Sequence, residues 1–297
     1  MTAILNVLGA VLVLVAVRDV FETLLHPHGH GVVSETLTRG VWRGSRVLVR
    51  GNHHVLSLAG PVAFITVIAV WGALVVLGFA LIIWPHLPDD FAFSDGIDAT
   101  QQERLVDAVY LSMVNLTSLG YGDIVPTADL LRLLGPLETL IGLGLLTASI
   151  SWILSLYRVL SDYRSLSHEI SVLAEAERTS DTGLAGIEPA VAAEVLSDLT
   201  SRVIAMRDDF VHAPIAYYFH PREARHALPV LLPELLEVVK RCSGADRAAA
   251  LRFHATMLAH AIEDLLLMIA GGFTRKPTRD VHEALAGYRR DHLWAHA

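Results

Sequence analysis

The sequence predicts an all-α membrane protein with three transmembrane helices, a further helix that enters the membrane and stops partway, and an all-α C-terminal domain. Three observations carry that expectation. Apolar residues make up 53% of the 297, and the mean hydropathy of +0.47 is too apolar for an ordinary soluble chain. Those residues are gathered into long runs without charge rather than spread. LTSLGYGDIVPT, residues 116–127, then sets a Gly-Tyr-Gly turn between two of the runs.

The runs define the spans. Gly60–Trp84 is 25 residues with no charge and Gly135–Tyr157 is 23 with only Glu138, whereas crossing hydrocarbon takes about 20. Ala3–Val17 is a third uncharged run, and helical character continues through Arg18 and Asp19 to Leu25. It lacks the basic start and A-x-A-like cleavage site of a signal peptide, so it reads as a span. Arg18 and Asp19 read as a local pair or a snorkelling end. The organisation is then 1–25 for the N-terminal span, 26–58 for a loop and amphipathic helix, 59–158 for the central membrane segment, and 159–297 for the helical domain.

Local charge sets the topology. Arg39, Arg43, Arg46 and Arg50 face only Glu35 between the first two spans, while Asp89, Asp90, Asp95, Asp98, Glu103 and Asp107 face Arg104 before the turn. The positive-inside rule places the basic segment in the cytoplasm and starts the acidic loop outside. Everything after Tyr157 is then cytoplasmic, and the expected location is the cell membrane, integral and multi-pass. At 100° per residue the four arginines share one narrow face and Leu37, Val41 and Leu48 lie opposite, which suits an interfacial helix. A connector whose arginines merely set topology would use the same residues.

Other features bound the function by exclusion. A formal charge of -8 gives no general basic footprint for nucleic acid. The single cysteine, Cys242, permits no internal disulfide and reads as structural. His26, His28 and His30 are the densest histidine cluster and read as a polar turn, because no carboxylate or thiol lies near them in sequence. No nucleophile elbow, P-loop, zinc motif or kinase signature marks an enzyme.

Thr100-Gln101-Gln102-Glu103 fits a capping box, and without Gly or Pro up to Thr117 the helix is about 17 residues, or ~25 Å, long. That is too short and polar to cross and return. The irregular backbone that follows is tolerated at membrane depth only where it is buried in protein or lines a watery path. Gly120 and Gly122 can take φ > 0, which lets successive carbonyls point one way. Rings of such carbonyls can replace the hydration shell of K⁺, whose loss otherwise costs on the order of tens of kcal/mol. The preceding helix aims its partly negative C-terminal end at the same axis.

Asp107–Asp123, DAVYLSMVNLTSLGYGD, resembles the pore helix and signature sequence of the potassium-channel superfamily. The resemblance is tight over Leu105–Pro126 and topological over the flanking spans. It is of the prokaryotic one-pore-loop, ion-transport type 2 kind, with an extra N-terminal span and a helical cytoplasmic domain in place of a Rossmann-like regulator. It implies that 117–123 form the selectivity filter: Thr117 ends the pore helix, the carbonyls of Ser118, Leu119, Gly120 and Tyr121 with the Ser118 hydroxyl form the K⁺ sites, Gly122 follows, and Asp123 sits behind or above them. It also makes Gly142 a candidate gating hinge; close packing is the competing reading, since small residues line interfaces between membrane helices.

The sequence departs from the family at Ser118 for the usual Thr and Leu119 for the usual Val. Val114 stands where some members carry a carboxylate behind the filter. One filter motif occurs per chain and four strands must surround an ion, so the expected assembly is a homotetramer. The acidic outer loop would concentrate cations or simply remain solvated. No span carries Arg or Lys at every third position, so no voltage sensor is expected.

Beyond Tyr157 the pattern is helical throughout. Ser161–Arg178 continues the last span into water, 179–186 is a linker, and a helix follows from about Ile187 with Pro189 in its first turn. Pro229 and Pro233 suggest two short pieces ending at Gly244. Asp246 reads as the cap of a long helix with Leu251, Leu258, Ile262, Leu265 and Ile269 on one face, and a last helix spans about Thr278–Leu293. Tyr217-Tyr218-Phe219 reads as core more readily than as a ligand pocket. Nine histidines, among them His168, His212, His220, His226, His254, His260, His282, His292 and His296, are candidate proton sensors, with surface or capping roles the plainer reading.

The expected function is therefore a tetrameric K⁺-selective channel, passing K⁺ passively and gated through 159–297. A small ligand, a proton or a protein is the candidate stimulus. Membrane lipids surround it, K⁺ occupies the filter, and no organic cofactor is expected. The alternatives are a weakly selective cation channel, because of Ser118 and Leu119, and a membrane-anchored receptor or scaffold with a non-conducting pore.

Overall fold

The structure is a computed structural model that describes residues 1–25, 31–49, 53–94, 104–274 and 276–294. In chain order the elements are α1 (Thr2–Leu25), α2 (Val32–Val49), α3 (His53–Leu56), α4 (Ala59–Ile83), β1 (Phe91–Phe93), α5 (Arg104–Leu116), β2 (Ile124–Pro126), α6 (Asp129–Thr179), α7 (Pro189–His212), α8 (Leu228–Cys242), α9 (Ala249–Gly272) and α10 (Val281–Asp291). About 81% of the described residues are helical, as the apolar periodicity requires. The capping box at 100–103, Arg50 and His26, His28 and His30 lie outside the described residues.

Among the described residues four helices are long and apolar enough to cross a membrane: α1, the segment His53–His86 containing α4, α6 and α9. Within its most apolar window α9 is 44% buried, against 17, 33 and 11% for the others. Its Leu251, Leu258, Ile262, Leu265, Leu266 and Ile269 are buried as it packs on α7, α8 and α10. Helix packing therefore accounts for its apolarity. The other three keep most of that surface outside their own chain, as lipid-facing or subunit-facing helices do.

Contacts divide the chain into two compact units, Met1–Gly40 with Ala63–Leu154 and Val41–Val62 with Ser155–Ala297. In the first, α1 crosses α4 closely at Gly9 and Gly78, where a Cβ on either would strike the other's carbonyl oxygen. Val13, Ala16, Val75 and Phe79 fill that crossing. Ala80, Ile83, Leu87 and Phe91 join Ala108 and Leu111 of α5, Ile124 of β2 and Leu131 of α6 in a second core. Strands β1 and β2 pair antiparallel, Phe91 opposite Pro126 and Phe93 opposite Ile124.

Of the two readings of Arg18 and Asp19, the local pair does not form between them. Arg18 bonds Glu22 one turn on, at 2.7 Å, while Asp19 is 3% exposed and accepts from the Val33 and Ser34 amides at 2.8 and 3.0 Å and from Trp71 Nε1 at 2.7 Å. A carboxylate from one helix thus satisfies the free N–H groups that start the next.

In the second unit, α8 is a single helix rather than two pieces, with Pro233 inside it. An interior proline costs roughly 3 kcal/mol, which the burial of Leu231, Leu232, Leu235, Val238 and Val239 on one face can outweigh. Asp246 does not cap α9, whose N-cap is Ala248. Helix α10 begins later than the sequence suggested, because the Asp280 side chain accepts from the Glu283 amide at 2.8 Å and fixes the N-terminus there. Tyr217 and Tyr218 are core residues at 1 and 6% exposure, and Cys242 is buried.

Candidate functional site

Helix α5 buries Ala108, Leu111, Ser112 and Val114, an i, i+3, i+4 stripe that seats it in the core of the first unit. It ends at Leu116. The Leu119 amide donates to Val114 O and the Ser118 amide to Asn115 O, each at 3.0 Å, and Ser118 has φ 61. This is a Schellman cap with serine in the left-handed position that glycine usually takes. Gly120 and Gly122 follow at φ 58 and 73.

Left-handed residues therefore alternate at 118, 120 and 122, with Leu119 and Tyr121 in ordinary conformations between them. Such alternation turns successive carbonyls towards one side instead of opposite sides. Sequence reading anticipated it at the glycines and missed it at Ser118, where only the cap geometry dictates it. Among the described residues no hydrogen bond is made to the carbonyls of Ser118, Leu119, Gly120 and Tyr121. Leu119 and Tyr121 are 58 and 66% exposed in the single chain.

The stretch is anchored at its far end. Tyr110 OH donates to Asp123 Oδ2 at 2.6 Å, the Ser94 amide donates to Asp123 O at 2.9 Å, and the β1–β2 pair follows at once. Asp123 thus ties the end of the irregular segment back to α5 and to the loop before it.

Behind α5 lies a group that sequence reading passed over. Glu138 of α6 is fully buried, with its carboxyl on the Ser112 hydroxyl and 3.3 Å from Asn115 Nδ2. Ser112 Oγ also lies 3.0 Å from Val76 O, and Thr139 Oγ1 donates to Asn115 O at 2.8 Å. No cationic side chain among the described residues is within ion-pair distance of Glu138. The signal that could have found it is its standing as the lone charge in Gly135–Tyr157, since ionisable residues in a span face protein or water. Gly142 lies one turn further along the unbroken α6, and a Cβ there would collide with the Leu116 carbonyl oxygen.

Of the four predicted arginines, Arg39, Arg43 and Arg46 lie in α2, and Arg50 lies outside the described residues. Arg39 pairs with Glu35 at 2.6 Å, and Arg46 pairs with Asp291 at 2.6 Å. Trp42 Nε1 and Tyr217 OH also donate to Asp291, at 3.0 and 2.9 Å. The side chains α2 buries are Ser34, Thr38 and Trp42, a stripe that hydropathy does not mark, and Val47 and Leu48 stay exposed.

Two histidines expected at the surface are buried instead, His220 and His292 at 5 and 2% exposure. His53 Nδ1 lies 2.8 Å from His220 Nε2, and His220 Nδ1 lies 3.4 Å from His292 Nδ1. Burial, then the neighbouring His292 and His53, lower His220 to about 3. Burial, then Arg46, lower His292 to about 3. No group of three or more metal-ligating side chains occurs among the described residues.

Comparison with known proteins agrees with the geometry of the first unit. Residues 70–158 match the family described as "Ion channel", and that range holds α5, the 118–122 stretch and Glu138. An uncharacterized membrane protein, YdjJ of Bacillus subtilis (strain 168), is 26% identical over 150 residues, covering 50% of this chain and 43% of its own length. The chain thus spans less than half the length of that relative. No solved structure matches. Residues 70–158, with the Gly-Tyr-Gly turn inside them, thus match an ion-channel family, in a chain with helices long and apolar enough to cross a membrane.

Proposed function

We propose that the chain is one subunit of a homotetrameric K⁺-selective channel of the cell membrane, with residues 117–123 as its filter and residues 159–297 as a cytoplasmic gating domain. The observation that carries this reading is the left-handed alternation at Ser118, Gly120 and Gly122, which leaves a row of carbonyls without donors. Such a row is intolerable in lipid and useful around a dehydrated cation. An apolar cleft of about 600 Å³ between this stretch and α6, lined in part by Leu111, Val114, Leu131, Leu140 and Leu143, supports assembly, because a neighbouring subunit would cover it.

K⁺ is the cargo of this reading and no covalent chemistry is involved. Carbonyls from four chains replace water around the ion. Asp123 and Tyr110 hold the outer end of each strand, and the Schellman cap holds the inner end. The test is a planar bilayer with purified protein, K⁺ on one side and Na⁺ on the other. The expected reversal potential lies far on the K⁺-selective side. A reversal near zero would assign the weakly selective alternative to Ser118 and Leu119, and no current from a tetrameric preparation would favour the scaffold.

A further inference from the structure

The second unit contains a cleft of about 790 Å³ in which Arg43, Arg46, Lys276 and Arg290 stand against only Glu283 and Asp291. Both acids are already engaged. Asp291 is held by Arg46, Trp42 and Tyr217, and Glu283 accepts from Thr278 Oγ1 at 2.8 Å. Among the described residues Arg43, Lys276 and Arg290 form no ion pair. Three unneutralised cations on one concave surface repel one another, in a chain whose net charge is -8. A bound anion would remove that repulsion, and a concave surface lined by one sign of charge strengthens the attraction.

The geometry points to this cleft as a binding site for a phosphate-bearing anion of two or more charges. Guanidinium groups present planar forks that match phosphate oxygens, and a lysine adds a mobile point charge. Arg46 is fixed by Asp291 and forms the rigid wall, whereas Arg43, Lys276 and Arg290 are exposed and free to close on the ligand. Val47, Ala286 and Leu293 supply apolar surface for the body that carries the phosphate, and Gly287 adds no side chain to the floor. The same chemistry suits a soluble phosphorylated metabolite and a lipid headgroup.

The experiment uses the full chain in neutral detergent and does not depend on ion flux, so its failure leaves the channel reading untouched. Pyrophosphate is titrated calorimetrically, and phosphatidylglycerol retained against phosphatidylcholine is counted by native mass spectrometry. The expected result is that at least one of the two anions binds and that R43Q/K276Q/R290Q weakens it about tenfold or more, the loss of several charge-assisted hydrogen bonds. R252Q, which removes one positive charge on α9 as R43Q does on α2, should leave binding as it is. Pyrophosphate binding identifies a soluble ligand; selective retention of phosphatidylglycerol alone identifies a headgroup. The proposal is overturned if neither anion binds, or if the triple variant, melting like the wild type, binds as well as the wild type. Single R43Q, at an exposed position of α2, serves if the triple variant does not fold.

Discussion

Glu138 has only neutral partners, Ser112 and Asn115, and it holds α5 over the last two turns before the irregular stretch begins. Its role is that of a strut: it fixes the side chains of the helix whose end sets the Ser118 backbone. Truncation in E138A takes the acceptor from Asn115 Nδ2, leaves Ser112 only the Val76 carbonyl and opens a cavity behind α5, together worth about 2–4 kcal/mol. E138Q keeps the size and one oxygen acceptor, and should cost much less. Thermal unfolding of the two variants in detergent checks the order, and equal losses would show that the strut does not act through its hydrogen bonds. In the ion-selectivity assay E138A should move the reversal potential towards zero while E138Q stays near the wild type.

At the scale of elements, close approach decides which glycines matter. Gly78 and Gly72 both lie in α4, yet a Cβ at Gly78 would meet Val13 Cγ2 at 2.7 Å and Gly9 O at 2.8 Å, while one at Gly72 meets nothing within 4 Å. The two alanine variants should therefore differ in sign. G72A gains up to about 1 kcal/mol from helix propensity, and G78A loses about 1–3 kcal/mol because α1 and α4 must separate. Unfolding midpoints of both variants measure this, and a stabilised G78A would mean that the crossing is looser than drawn. Helix α8 makes a related point, since its proline reads as a break until the buried face opposite is known.

For the whole molecule the two units answer to different variables. The first depends on apolar surroundings, with most of the apolar surface of α1 and α6 uncovered in the single chain. The second is stapled by an aromatic and histidine centre, which ties it to pH. His220 faces His53 and His292, and His292 lies among Trp42, Tyr217 and Tyr288 near Arg46. Both are lowered from 6.5 to about 3, so between those values the unfolded chain binds protons that the folded one refuses. Stability is then full above about pH 6.5 and falls as pH drops towards 3. Melting curves from pH 7 to 4 should show that decline, and H220Q should make it shallower while the part due to His292 remains. A flat wild-type curve would mean that the centre does not titrate with folding.

The sequence by itself determined three apolar spans, the interrupted helix before Gly-Tyr-Gly, the helical character of 159–297 and the ion-channel resemblance. Those are properties of runs and of glycine, readable from hydropathy length and from the φ a residue type permits. It also isolated Glu138 as a lone charge without saying what it touches. Tertiary structure alone decided that Ser118 is left-handed, that Asp19 joins Trp71 and the start of α2, that His53, His220 and His292 meet, and that α9 spends its apolar face on neighbouring helices. Each of these depends on groups brought together from separate elements, where burial and the need to satisfy every polar atom override local preference.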